Sequence, residues 1–128
     1  MKDQLKQLLE LDTMILNTSV YDLYNRSDIR FLLEWQYGSQ GGFNKALSQA
    51  ISQADGSNLI KCFNGFEKQT LAIRSFQIKD GFWPFVQDRD QEVKKHLKLL
   101  KEQVNAWSVN KYVNGLRANR KSHARWFD

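Results

Sequence analysis

Apolar residues along this chain recur every three or four positions, the spacing of helices that bury one side. Runs of β-branched residues are absent and there is a single proline, so strands have little support. A first helix is expected from about Asp3 to Asn17, with a broad apolar side of Leu5, Leu8, Leu9, Leu11, Ile15 and Leu16. Val20 to Tyr24 suits a short second helix. Asn25 or Ser27 is suited to cap a third that presents Ile29, Leu32, Leu33 and Trp35. Gly38-Ser-Gln-Gly-Gly then breaks the pattern.

The most regular stripe follows. Phe43, Ala46, Leu47, Ala50, Ile51 and Ala54 fall on one side of a helix. Asp55-Gly-Ser-Asn reads as a turn, and Leu59, Ile60 and Phe63 mark a short helix ending near Gly65. Leu71, Ile73 and Phe76 lie on another that stops at Asp80-Gly81. Phe82-Trp-Pro-Phe-Val is expected to be an aromatic loop, because Pro84 lacks an amide hydrogen and restricts Trp83. Asp88 with Gln91 fits a capping box for the last long helix. On that helix Val93, Leu97, Leu100, Val104 and Trp107 repeat at four, three, four, three. Such a seam packs within a bundle or pairs two protomers as a short coiled coil, so a homodimer through Val93–Trp107 is a candidate. The fold expected is all-α: a single-domain bundle of about five to seven helices over 1–116, with a basic aromatic arm at 117–128.

Charge sharpens the view of the arm. Residues 94–128 hold nine Lys and Arg against two acids, or +7, and the first 93 hold ten against twelve, or −2. The whole surplus of +5 therefore lies in the last quarter. One-sided charge points to a polyanionic or acidic partner. Lys111, Arg117, Arg120, Lys121 and Arg125 would neutralise phosphates, with Trp126 and Phe127 placed to stack on bases. The blander alternative is a solvated terminal helix whose two aromatics fold back on the core. Residues 46–65 also admit a helix-turn-helix, with Ala50 at the helix crossing and Ser57, Asn58 and Lys61 facing a groove. Gln53 and Asp55 fit that motif badly, and an ordinary helical hairpin explains the same pattern. Trp83 and its aromatic neighbours form a further candidate surface.

Chemistry of other kinds finds little purchase. Cys62 is the only cysteine, which excludes an intrachain disulfide and a tetrahedral all-cysteine zinc site. It is expected to act as a small buried hydrophobe. Asp88, Asp90 and Glu92 alternate, but spacing of two scatters them around a helix, so capping explains them better than a metal. His96 and His123 have no ligand-spaced neighbours. No catalytic residue, metal or cofactor is expected. No window approaches the ~20 apolar residues a membrane span needs, and no signal-like run opens the chain, so a cytoplasmic protein is expected.

Residues 38–66 resemble a segment of small uncharacterised helical proteins of phages, prophages and mobile elements. The shared positions are the Gly/Ser turn, Phe43, Ala46-Leu47, Ala50-Ile51, Ala54-Asp55, Asn58, Lys61 and Gly65-Phe66. In that group the Gly-Phe pair is usually followed by proline; Glu67 stands here, so the next helix is expected to start differently. The resemblance implies a phage-like origin, a bacterial host cytoplasm, and a non-enzymatic protein that inhibits or redirects a host nucleic-acid machine, of anti-CRISPR or other anti-defence type. Its partner would be a host protein or ribonucleoprotein. The alternative is a small nucleic-acid-binding regulator or replication accessory that works through the basic arm.

Overall fold

The computed structural model describes residues 2–118, with side chains described for 3–107. Seven helices and no strand occur among them: α1 (Lys2–Asn17), α2 (Val20–Arg26), α3 (Ile29–Tyr37), α4 (Gly42–Gln53), α5 (Gly56–Gly65), α6 (Glu67–Ile78) and α7 (Phe82–Ala118). The chain divides between Asp88 and Arg89 into two units, and α7 runs through the division. The all-α expectation holds.

In the first unit, caps set the boundaries. Ser19 accepts from the Asp22 amide at the start of α2, and Asp28 from Phe31 at the start of α3. Each satisfies an amide that the helix itself leaves open. Asp28, not Asn25 or Ser27, therefore caps α3; Ser27 instead closes α2. Gly38 ends α3 in the left-handed region, as the glycine break predicts. Asp55 accepts from Asn58, so Gly56 to Asn58 form the first turn of α5 rather than a free turn. Phe66 is at once the last cap of α5 and the first of α6, and Glu67 opens α6.

Helix α6 is central, packing on each of α1 to α5. Thr70, Leu71, Ala72, Ile73 and Ser75 are all buried, and the small ones let neighbours approach on several sides. The core has two parts. Leu11, Ile15, Leu23, Leu32, Ile60, Leu71, Phe82 and Val86 belong to one, and Phe31, Ile51, Leu59 and Ile73 to the other. Arg74 of α6 grips Asp12 of α1 through two parallel bonds, Nε to Oδ1 at 2.8 Å and Nη2 to Oδ2 at 2.7 Å. The hydrogen bond to Asp12 holds the guanidinium above its ordinary value; Coulomb attraction adds and partial burial opposes. Lys79 donates to the Leu16 carbonyl at 2.8 Å, covering an open acceptor at the end of α1.

Three expectations about packing fail. The α4 stripe is turned: Leu47 is half-buried and Ile51 buried, but Phe43, Ala46 and Ala50 face out. Ser48 takes the inner place because its hydroxyl donates to the Gln40 side chain at 2.8 Å, and Gln40 in turn donates to the Phe31 carbonyl at 3.1 Å. On α1, Leu8, Leu11 and Ile15 point in while Leu5, Leu9 and Leu16 are exposed. The inward face is narrower than six leucine and isoleucine positions suggested.

The third failure is the aromatic loop. Phe82, Trp83, Pro84 and Phe85 are the first turn of α7, and Phe85 makes its first helical bond to the Gly81 carbonyl. Amides in a first turn have no helical acceptor, so proline loses nothing there. Gly81, at φ 81°, supplies the left-handed residue that turns the chain into the helix. Asp88 accordingly sits inside α7 and caps nothing.

Candidate binding surface

Helix α7 from Arg89 onward differs from every helix of the first unit: each described residue from Gln91 to Trp107 is exposed. Val93, Leu97, Leu100, Val104 and Trp107 are 50, 57, 41, 56 and 45 % exposed. Of the two expectations for this seam, packing within a bundle is not what the structure shows: none of the five is buried. Spaced alternately at four and three, they form a ladder roughly 21 Å long at 1.5 Å per residue. Leu99 is also exposed, about a third of a turn round the helix from the ladder.

Charge frames the ladder. Lys94 and Lys101 follow Val93 and Leu100 directly, and His96 and Gln103 precede Leu97 and Val104. Lys95 and Lys98 are exposed on the same stretch. Lys94 bonds Asp90 at 2.9 Å, one turn back, and Arg89 reaches Glu92 at 4.0 Å. Asp88, Asp90 and Glu92 are thus not gathered as ligands. Two of the three face cations along the helix, which is ordinary i, i+3 and i, i+4 pairing.

Most of the tail candidates lie outside the described residues. Arg120, Lys121, Arg125, Trp126 and Phe127 are outside the described residues, as is His123. Lys111 and Arg117 fall within the bounds of α7, so the helix continues past the expected start of the arm at 117. Their side chains are outside the described set.

The second candidate surface does not assemble as a helix-turn-helix. Ala50 is exposed and makes no close crossing. The tight approach in this region is at Gly56, where an added Cβ would stand 3.0 Å from Leu8 Cδ2 on α1. A glycine at a helix start was the signal for it. Asn58 and Lys61 are exposed, but Ser57 is half-buried. Trp83 is half-buried. Its ring meets Phe76 edge-on at 5.4 Å and Tyr37 at 6.4 Å, while Phe82 beside it is fully buried.

Other surface features are less organised. Phe43 and Phe66 form an exposed pair, with centroids 6.2 Å apart. A groove of about 290 Å³ between α1 and α5 is lined by Leu11, Met14, Ile60 and Phe63, with Glu10 as its one titratable side chain. Cys62 is half-buried against the smaller core part, packed rather than presented. Among the described residues no three His, Cys, Asp or Glu come together as a metal site, and no helix is long and apolar enough to cross a membrane. Comparison with known protein families, curated proteins and solved structures finds no match to this chain.

Proposed function

We propose that this chain is a non-enzymatic binding protein and that α7 carries its working surface. One observation supports this above the rest: the exposed ladder of Val93, Leu97, Leu100, Val104 and Trp107. Single apolar residues on a surface need no explanation, but a continuous row of five does. Protein interfaces use such a row as their dry centre, with polar residues at the rim and an aromatic anchor such as Trp107. The likeness of residues 38–66 to phage and mobile-element proteins gives this reading its concrete form. The partner is then a host protein or ribonucleoprotein, and the effect is inhibition or redirection of a host nucleic-acid machine in the anti-defence manner. That step is by analogy.

A second reading has its own observation. Lys94, Lys95, Lys98 and Lys101 are exposed on the ladder's helix, and the sequence continues basic through Lys111, Arg117, Arg120, Lys121 and Arg125. These suit a phosphate backbone, so direct nucleic-acid binding is the alternative.

The two readings separate in one titration. Labelled duplex and single strand are added to the full chain, to residues 1–116, and to a Leu97→Ser/Leu100→Ser variant, at 50 and 200 mM salt. Four phosphate contacts would weaken binding about 100-fold over that range. Such a loss, indifferent to the leucines and abolished by truncation, makes this a nucleic-acid protein. Absence of nucleic-acid binding, with a host-protein complex lost in the leucine variant, supports the first reading. A host-protein complex that survives loss of the ladder refutes it.

A further inference from the structure

The residues beside the ladder say more about its occupant than the ladder does. With Val93, Leu100 and Trp107 at one class of core position and Leu97 and Val104 at the other, the flanking heptad positions on one side are Lys94 and Lys101. On the other side they are Arg89, His96 and Gln103. No acid occupies a flank from 93 to 107; Glu102 sits on the opposite face. Helices that pair through such a seam choose partner and direction through these flanks.

A second copy fits badly in either direction. Parallel pairing would set Arg89 against Lys94 of the other copy and leave Lys101 beside His96 with no acid to meet it. Antiparallel pairing would set the lysine flanks against each other. Like charges at these positions oppose association, whereas opposite charges promote it.

We infer that the α7 ladder receives an acidic amphipathic helix from another protein: aliphatic residues at its heptad core positions and Glu or Asp at its flanks, over about two heptads. This rests on the reading of α7 as a protein-binding surface and gives the chemistry of the partner. Carboxylates on the incoming helix would meet Lys94 and Lys101 on one side and Arg89 and His96 on the other. The ion pair of Lys94 with Asp90 would be shared with, or yielded to, the newcomer. Two heptads make a small interface, so the complex is of the transient kind, with Kd on the order of 10 μM.

The test uses the full chain and three labelled synthetic helices. Two share a three-heptad leucine and valine core, one flanked by Glu and the other by Lys. The third keeps the Glu flanks but has serine at the core positions. Fluorescence anisotropy at low salt reads binding, and sedimentation velocity reads self-association. The Glu-flanked helix is expected to bind roughly tenfold more tightly than the Lys-flanked one, from the sum of several small flank-pair contributions. That preference should reverse in Lys94→Glu/Lys101→Glu and binding should vanish in Leu97→Ser/Leu100→Ser, whose exposed positions leave the fold intact.

Equal affinity for the two flank chemistries, or a preference that the charge reversal leaves alone, overturns the inference. Equal binding of the serine-core helix does so too, by showing attraction without docking. A dimer that dissociates in the leucine variant makes a second copy the occupant: the acidic partner is then wrong while α7 as a protein-binding surface stands. If no helix binds, the acidic partner is refuted. If, besides, neither a dimer nor a host-protein complex depends on the leucines, both readings fall.

Discussion

Replacing Phe82 by alanine tests whether the first turn of α7 is a core element or an aromatic surface. The ring is fully buried among the larger part of the core. A buried phenylalanine removes about 200 Å² from water, which at about 25 cal/mol/Å² is roughly 5 kcal/mol. Alanine keeps the Cβ and the unfolded chain already hides part of the ring, which brings the transfer loss nearer to 3 kcal/mol. The cavity left behind raises it again, to about 4 kcal/mol. A domain of this size has only about 5–15 kcal/mol in total, so the variant sits near the edge of folding. Phe82→Leu, expected to cost about 1–1.5 kcal/mol, provides a second variant that stays folded. Urea unfolding followed by far-UV circular dichroism gives the readout. With a slope of about 2 kcal/mol/M, Phe82→Ala should lower the midpoint by about 2 M and Phe82→Leu by about 0.6 M. Midpoint shifts below about 0.3 M in both would put Phe82 on the surface and refute the placement.

Arg74→Met removes both bonds to Asp12 and strands a carboxylate that is only 23 % exposed, so it should cost about 2 kcal/mol in the same assay. The guanidinium is held above an already strongly alkaline value, so its share of stability is complete below that range and is lost only as pH rises through it. The Arg74→Met deficit should therefore be constant from pH 7 to 9, and a deficit that shrinks across that window would contradict the assignment. Gly81→Ala meets no neighbour within 4 Å, so its cost is purely that of forcing alanine to φ 81°, about 1 kcal/mol. Leu97→Ser and Leu100→Ser should each change the unfolding free energy by no more than about 0.5 kcal/mol, because both side chains are exposed; a larger loss would mean that the ladder is covered in the free protein.

The helix count and most boundaries were legible because they rest on local chemistry. Gly38 needs no partner elsewhere in the chain to end a helix, and the apolar spacing of α1, α3 and α6 is a property of each segment. What stayed hidden depended on distant groups. The rotation of α4 is set by Gln40 reaching both Ser48 and Phe31, and nothing in the stripe from Phe43 to Ala54 announces a glutamine in the preceding loop. Pro84 was misleading because its effect depends on whether it stands in the first turn or outside the helix. Even for the ladder, spacing shows that an apolar face exists and is silent on whether anything covers it. Among the candidate positions, Trp83 was drawn inward by Phe76, a contact across sequence that periodicity does not carry.

The Gln40 clamp also bears on how the chain meets a protease. A stretch such as Gly38-Ser-Gln-Gly-Gly, exposed at most of its positions, has the composition in which nicking concentrates. Cleavage requires the strand to peel away and lie extended in the enzyme. Here peeling breaks the bonds of Gln40 to the Phe31 carbonyl and the Ser48 hydroxyl, at a cost of about 2 kcal/mol, which holds the susceptible form roughly thirtyfold scarcer than composition alone suggests. One amide side chain thereby shields a glycine-rich connection whose composition is that of a weak point.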